Sequence, residues 1–233
     1  MRRLATSSIR SDQIRSDQDK IRLLQYVFGY AVVELGEVIL SLNTGLNPRK
    51  FFKLNTSDAK NYYITIREIV GGRIVPTEKT DRINDEALLL CNNRSNLEAG
   101  DVLFTGTGTI GETAVLENTP NNWNIKEGVY AIKPDQTLLH PQYLRYLLMS
   151  QRIRDSYMKK VAGGTVQSIP MKEMRRLKIP LPTLKKQAEN SGIIGYFDNL
   201  CNDFSSGLPA EIESRQKQYE YYRDKLLNFK ELT

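Results

Sequence analysis

The sequence predicts an α+β protein, in which a globular domain of mixed β-structure is followed by a long C-terminal helical segment of coiled-coil type. Three observations lead to this fold class. Short apolar and β-branched runs separated by turn signals fill residues 32–135, and an amphipathic helical pattern follows at 138–157. Apolar residues with helical spacing then continue through 184–230.

The domain organisation follows from these changes of pattern. Residues 1–30 form a partly helical lead-in, 31–183 the globular domain and 184–233 the helical region. Within the domain, strands are expected at Val33–Leu40 and Tyr62–Ile69, where apolar, β-branched and aromatic residues dominate. A chain of 233 residues is long enough for one large domain with an appendage.

The helical region has a stripe of apolar residues, most of them three or four positions apart. They are Ile194, Phe197, Cys201, Phe204, Leu208, Ile212, Tyr219, Tyr222, Leu226 and Phe229. Such a stripe approximates a coiled-coil seam and predicts packing on another helix, from this chain or from a second copy. Gly207-Leu208-Pro209 interrupts it, so the region is either a kinked long helix, which we favour, or a helical hairpin.

The positive charge of the chain is concentrated in one stretch. The net charge is +6, and residues 141–183 hold nine Lys and Arg against two Asp and Glu. Clustered cations favour a polyanionic partner, because phosphates must be neutralised locally. The alternative is a solvated helix face that is incidentally basic.

Composition argues against several other classes of protein. No run approaches the roughly 18 apolar residues of a membrane span, so no membrane association is expected. The two cysteines, Cys91 and Cys201, lie far apart, which favours a reducing cytoplasm. With two cysteines and the single His140, no metal site is expected.

No catalytic residue is predicted. Gly106, Gly108 and Gly111 match GxGxxG, but a Thr/Val-rich segment follows, so a tight turn between two strands is favoured over a dinucleotide site. The Walker A, GxSxG and HExxH patterns are absent, and the carboxylates are scattered. We therefore expect no cofactor on this chain.

Candidate contacts with nucleic acid lie in polar and basic loops. Phosphate contacts are expected from Lys159, Lys160, Lys172, Arg175 and Arg176. Base contacts are expected from Arg49, Arg67, Arg73, Thr107 and Gln167. The remaining candidates are Lys50, Lys53, Thr105, Gly163, Gly164 and Thr165, in loops where small or polar residues let a backbone approach a phosphate. Each residue taken alone is more often a solvated surface residue.

Three segments together resemble the specificity subunit of type I restriction–modification enzymes. The first, LEAGDVLFTGTGTIG at 97–111, resembles the family's strand, glycine turn and strand. The second, GGTVQSIPMKEMRRLKIPLP at 163–182, resembles the end of its target-recognition domain. The third, GLPAEIESRQKQYEYYRDKLL at 207–227, resembles its helical spacer. The resemblance extends over about residues 20–230.

The resemblance implies a function and partners. A recognition domain, here 31–183, reads half of a split double-stranded DNA target, and the helical spacer holds two such domains apart. Methyltransferase and restriction/translocase subunits dock on the assembly. S-adenosylmethionine, ATP and Mg²⁺ belong to those subunits, which agrees with the absence of catalytic motifs in this sequence.

The chain departs from the family in having one recognition domain and one spacer where a full subunit has two of each. It resembles a half subunit, and we expect a homodimer formed through the C-terminal helices. Two rival interpretations remain open. One is a stand-alone nuclease or methyltransferase, and the other is a protein-interaction module whose basic segment is incidental.

Overall fold

The computed structural model describes residues 18–164, 166–203 and 209–229. The strands are β1 (Tyr30–Glu34), β2 (Ile39–Thr44), β3 (Asn61–Ile64), β4 (Ile69–Val70), β5 (Arg73–Ile74), β6 (Arg82–Ile83), β7 (Val102–Thr105), β8 (Thr113–Val115), β9 (Trp123–Ile125), β10 (Val129–Pro134) and β11 (Lys178–Pro182). The helices are α1 (18–28), α2 (Pro48–Phe51), α3 (Asp85–Arg94), α4 (Pro141–Met149), α5 (Gln151–Met158), α6 (Met171–Arg175), α7 (Leu184–Asp203) and α8 (Pro209–Leu227). These mixed helices and sheets confirm the predicted fold class.

The first and last of these strands pair with each other. β1 and β11 run antiparallel, with Ala31 opposite Leu181. The alternation of β1 buries Ala31 and Val33 in the core. Helix α1 is tied to the same ladder, because the Gln25 side-chain amide donates to the carbonyls of Leu181 and Pro182 at 3.1 and 3.0 Å. The chain therefore enters the globular domain through β1 and leaves it through the adjacent strand β11.

The main sheet is antiparallel and has the strand order β2-β10-β7-β8. Its middle strands are buried on both faces. In β7, Val102 and Phe104 join the large cluster that also contains α4, whereas Leu103 joins a second cluster on the opposite face with Ala131 of β10. This double burial explains why these segments are continuous apolar runs and do not alternate with polar residues.

A second, smaller layer stands beside the main sheet. Its strand order is β6-β3-β9, in which β3 is parallel to β9 and antiparallel to β6. Helix α3 packs against β9, and its Cys91 is buried with Tyr63 and Ile83. The short hairpin β4–β5 lies near β8 of the main sheet.

Two predicted strands, Val33–Leu40 and Tyr62–Ile69, are each interrupted by a 3₁₀ turn. The turn residues are Leu35–Glu37 and Ile66–Glu68. In each case the terminal glutamate accepts the backbone N–H that precedes the turn, at 2.7 and 2.8 Å. This capping box satisfies a donor that the strand ladder would otherwise use, and the strand breaks there.

The predicted amphipathic helix at 138–157 is two helices, α4 and α5. Ser150 separates them with an extended backbone, ψ 144°. Its hydroxyl and its N–H both donate to the Leu147 carbonyl, at 2.7 and 3.1 Å. A serine that hydrogen-bonds to the backbone in this way competes with continuation of a helix.

The C-terminal region is a helical hairpin, so the kinked helix that we favoured is wrong. The Phe197 ring of α7 stacks on Tyr222 of α8 at 5.7 Å. Asn190 lies about two turns nearer the start of α7 than Phe197. Its side-chain amide donates to the Leu226 carbonyl, which follows Tyr222 in α8, at 3.1 Å, so the two helices are antiparallel. Pro209 is the first helical residue of α8, where a missing N–H costs nothing.

Much of the apolar stripe is used within the chain itself. Ile194 and Tyr219 are 1% and 4% exposed and belong to the large core cluster. Leu226 packs against that cluster, and Phe229 contacts the Tyr30 ring with centroids 4.8 Å apart. Of the other stripe residues, Phe204, Leu208 and the side chains of Cys201 and Ile212 lie outside the described residues.

Candidate nucleic-acid interface

The glycine-rich segment forms the predicted turn between β7 and β8. The two strands are antiparallel neighbours, with Val102 opposite Val115. Gly108 and Gly111 have φ angles of +80° and +105°, which side-chain-bearing residues rarely adopt. The structure thus confirms a strand–turn–strand unit in place of a dinucleotide-binding loop.

Thr105, predicted as a DNA contact, is buried inside this turn. Its side chain is fully enclosed, and its hydroxyl donates to the Thr109 carbonyl at 2.6 Å. The same oxygen accepts the Glu112 N–H at 2.9 Å. The prediction for Thr105 is therefore corrected: this residue stabilises the turn and does not face solvent.

A second predicted loop lies directly against the glycine turn. The Gly108 N–H donates to the Gln167 carbonyl at 3.0 Å, and the Ile169 N–H donates to the Gly106 carbonyl at 2.9 Å. Thr107 forms an isolated antiparallel bridge with Ser168. Two loops that are about 60 residues apart in sequence therefore form one surface. The side chain of Gln167 is exposed on it.

Gly163 and Gly164, which belong to the same loop, are exposed. Gly163 has a φ angle of +113°, and a Cβ there would come within 2.4 Å of the Val166 carbonyl oxygen. Gly164 has open space around it. Thr165 lies outside the described residues. The loop conformation thus requires glycine at 163, while its surface is free to approach a ligand backbone.

A tight turn at 126–129, which sequence reasoning missed, joins the same surface. The Val129 N–H donates to the Lys126 carbonyl at 3.1 Å, and Gly128 has a φ angle of +95°, the pattern of a type II turn. Lys126 also donates its N–H to the Ile64 carbonyl at 2.8 Å. The Glu-Gly step between two β-branched segments was the available signal. It could not reveal which loops the turn would meet.

The turn at 126–129 and the neighbouring loops line a cavity of about 460 Å³. Its walls include Thr65, Arg67, Thr107 and the 126–129 turn. The Arg67 guanidinium donates to the Asp81 carboxylate at 3.4 Å and to the Thr65 hydroxyl at 3.3 Å, yet its side chain is 61% exposed. Arg67 is therefore held in position while most of it remains accessible.

The predicted basic loop at 43–53 adjoins this cavity. Leu46 bridges Lys126 in the parallel sense, so the loop begins beside the 126–129 turn. Arg49, Lys50 and Lys53 are exposed. Asn47 caps the short helix α2 by accepting the Arg49 N–H at 3.0 Å.

A cluster of basic residues flanks the 163–168 loop in the sequence, before it and after it. It consists of Lys159, Lys160, Lys172, Arg175 and Arg176, all of them exposed. Glu173 lies among them, with carboxylate oxygens 3.8 Å from the Lys160 nitrogen and 3.9 Å from Arg176. One acid cannot neutralise five cations, so the cluster keeps a strong positive charge.

Three other basic residues have different surroundings. Arg73 lines a separate cleft with Arg145 and Asp198, so the structure does not bring it to the surface formed by the loops. Arg145 is 6% exposed, and its guanidinium lies 3.5 Å from the Asp198 carboxylate of α7. Arg152 donates to the Phe229 carbonyl at 3.0 Å. Two of the nine basic residues in 141–183, Arg145 and Arg152, therefore contact the C-terminal helical region.

Two features of the described residues bear on metal binding and on the reactivity of histidine. No group of three or more His, Cys, Asp or Glu within them could hold a metal ion. The His140 ring is half-buried, which lowers its pKa, and its backbone N–H donates to the Gln187 side chain at 2.8 Å. No helix in the described ranges is long and apolar enough to cross a membrane.

We expect the Cys91 thiol to be unreactive in the folded protein. It is fully buried, and burial raises its pKa to about 12. Because the thiolate is the reactive form, iodoacetamide at pH 8 should label Cys91 only after unfolding in denaturant. Peptide mass spectrometry separates Cys91 from Cys201. Rapid labelling of Cys91 in native protein would contradict its burial.

We expect Gly128→Ala to destabilise the protein by about 1–2 kcal/mol, because a residue with a Cβ is strained at positive φ. A Cβ at this position would also lie 3.0 Å from the Thr107 Cβ. Urea unfolding measures the loss. Gly164→Ala is the matched control, since open space surrounds Gly164. Equal stability of the two variants would show that the turn at 126–129 is not required.

The chain belongs to the family described as the type I restriction modification DNA specificity domain, whose sequence model matches residues 29–214. Specificity subunits recognise DNA sequence and are the non-catalytic components of type I restriction–modification systems. The resemblance noted in the sequence is thereby confirmed.

Two curated relatives that this chain resembles are substantially longer than it is. A putative type I specificity subunit of Haemophilus influenzae is 36% identical over 132 residues, which are 56% of this chain and 32% of the relative. The EcoR124I/EcoR124II specificity subunit of Escherichia coli is 32% identical over 161 residues, 68% of this chain and 39% of the relative. The chain thus matches about a third of the length of each.

Solved structures share the fold. The HsdS subunit of Thermoanaerobacter tengcongensis is 19% identical with a TM-score of 0.53, covering 82% of this chain and 47% of that chain. A chain from a study of complex assembly in a type I restriction–modification system is 18% identical with a TM-score of 0.56, covering 97% and 58%.

Proposed function

We propose that the chain reads half of a split double-stranded DNA target, as the non-catalytic specificity subunit of a type I restriction–modification system. One observation supports this most directly. The glycine turn, the 163–168 loop and the 126–129 turn form a single hydrogen-bonded surface. The basic cluster flanks it in sequence, with phosphate-binding side chains beside loops that can meet base edges.

A second copy of the chain would supply the other half of the target. The solved neighbours are about twice as long as the part that this chain matches. In a two-fold homodimer, each copy would present one recognition surface to one half of a pseudo-palindromic split site. Homodimerisation through the C-terminal helices remains part of the proposal.

The hairpin has an outer surface that could serve this contact. Because Ile194 and Tyr219 are buried within the chain, the two copies would meet through other residues. Ile193, Tyr196 and Tyr221 are 44%, 64% and 60% exposed on the hairpin. Exposed aromatic residues of this kind are common at protein interfaces.

Methyltransferase and restriction/translocase subunits would complete the enzyme and hold S-adenosylmethionine, ATP and Mg²⁺. Helix α1 offers a further surface for such a protein contact. Leu23, Tyr26, Val27 and Phe28 are between 48% and 89% exposed, and apolar patches of this kind mark interaction sites. The proposed location of the assembly is the cytoplasm.

The test of this function is DNA binding by the purified chain over a series of salt concentrations. Affinity should fall steeply with salt, by about 0.9 logarithmic units per tenfold increase for each phosphate neutralised. A flat response would contradict DNA recognition. Light scattering should give the mass of a dimer at micromolar concentration, and a monomeric mass would contradict the half-subunit proposal.

The enzymatic alternative is tested on the same preparation. The chain alone should neither cleave DNA with Mg²⁺ nor transfer a methyl group from labelled S-adenosylmethionine. Either activity would replace the non-catalytic proposal with an enzymatic one.

A further inference from the structure

Glu127 occupies the exposed corner of the 126–129 turn. Glu127 is the second residue of this type II turn, and it is exposed. Its own N–H donates to the Leu46 carbonyl at 3.3 Å. On its other side, the Gly106 N–H donates to the Gly128 carbonyl at 2.8 Å.

The backbone holds this turn without help from the Glu127 side chain. The Gly128 N–H donates to the Thr44 hydroxyl at 3.3 Å, so segments from three other parts of the chain fix the turn. Within 18–164, 166–203 and 209–229, the Glu127 carboxylate has no hydrogen-bond or ion-pair partner. A rigid backbone therefore presents a carboxylate whose acceptor capacity is unused.

The surroundings of this carboxylate are otherwise suited to DNA. Glu127 lines the same cavity as Arg67, Thr107 and Lys126. A negative charge on such a surface weakens binding to phosphates at every sequence. It can strengthen binding only where it meets a hydrogen-bond donor, and the donors on the major-groove edges of base pairs are the amino groups of cytosine and adenine.

We propose that Glu127 is a specificity-determining residue, whose carboxylate accepts a hydrogen bond from the amino group of a base. The preferred donor is the N4 amino group of cytosine. This inference rests on the proposed function, because it assumes that the surface around the cavity meets DNA. Glu127 then lowers the affinity for DNA in which the base pair at this position offers no amino group. The basic residues make the phosphate contacts.

The experiment is selection of bound duplexes from a random-sequence double-stranded DNA library by the full-length chain. It is carried out with the wild type, Glu127→Gln and Glu127→Ala. In the wild-type motif we expect a position that requires C·G. Glu127→Ala should lose the preference at that position alone, by about tenfold. Glu127→Gln, which offers an amide that suits adenine, should shift it toward A·T.

A second measurement separates discrimination from general binding. Both Glu127 variants should bind non-specific duplex more tightly than the wild type, because a negative charge has been removed. Glu117→Ala is the matched control, since Glu117 is exposed but lines the separate cleft that contains Arg73. It should leave the motif unchanged.

The possible outcomes distinguish the two proposals. If the wild type enriches no sequence, the proposed DNA-recognition function fails. If the wild type enriches a motif and both Glu127 variants enrich the same motif with equal strength, the function stands and the role of Glu127 is overturned. Thermal unfolding of each variant should match the wild type, since the turn does not depend on this side chain.

Discussion

Replacement of Lys159, Lys160, Arg175 and Arg176 together by alanine is expected to reduce DNA affinity on the order of 100-fold at low salt. These four residues are exposed and close to the 163–168 loop, and Glu173 is the acid beside them. Each side chain that neutralises a phosphate adds about 0.9 to the salt dependence of binding. The slope should therefore fall by up to about 3.6.

The matched control removes the same charge elsewhere. Arg22, Arg94, Lys185 and Lys217 are exposed and lie outside the loops that form the proposed interface. Their joint replacement by alanine should lower the salt slope far less. If both quadruple variants lose affinity equally, net charge and not the basic cluster determines binding. Unchanged affinity in the first variant would favour a protein-interaction module.

Ile194→Ala is expected to destabilise the protein by about 2–5 kcal/mol, the usual loss for a buried large-to-small substitution. Ile194 is 1% exposed and packs in the core cluster that contains Tyr146 and Tyr219. A cavity at this position would loosen the hairpin from the globular domain. Urea unfolding followed by circular dichroism measures the change in free energy of unfolding.

An exposed aliphatic residue outside the hairpin provides the control, because Leu89 of α3 is 62% exposed. Leu89→Ala should change stability by less than about 1 kcal/mol. The difference between Ile194→Ala and the wild type should not vary with protein concentration, since the contacts lie within one chain. A loss that grows on dilution would instead indicate that Ile194 packs against a second copy.

The sequence predicted local features better than tertiary ones. The glycine turn at 106–111 was predictable because its glycines and the β-branched residues around them specify a strand–turn–strand unit. The hairpin of α7 and α8 was not, since an apolar stripe has the same spacing whether its partner helix belongs to this chain or to another. Gly207-Leu208-Pro209 is compatible with both arrangements.

The sequence predicted only those parts of the candidate site whose residues are close together in the chain. Charge clustering identified the basic residues that flank the 163–168 loop, because they are close in sequence. It also drew attention to a segment in which Arg145 is buried against Asp198, a pairing that depends on where α7 packs. The turn at 126–129 was missed because its importance comes from segments that are distant in sequence.

The pairing of β1 with β11 makes the globular domain exchangeable. Ala31 and Leu181 face each other across one ladder, where opposite residues are about 4.5–5.5 Å apart. Excision of the segment between them would leave two ends that another domain with adjacent ends could join without moving α1 or the hairpin. Recombination at these two strands would then replace the part that we propose contacts DNA as a single unit, and α1 and the hairpin would be retained.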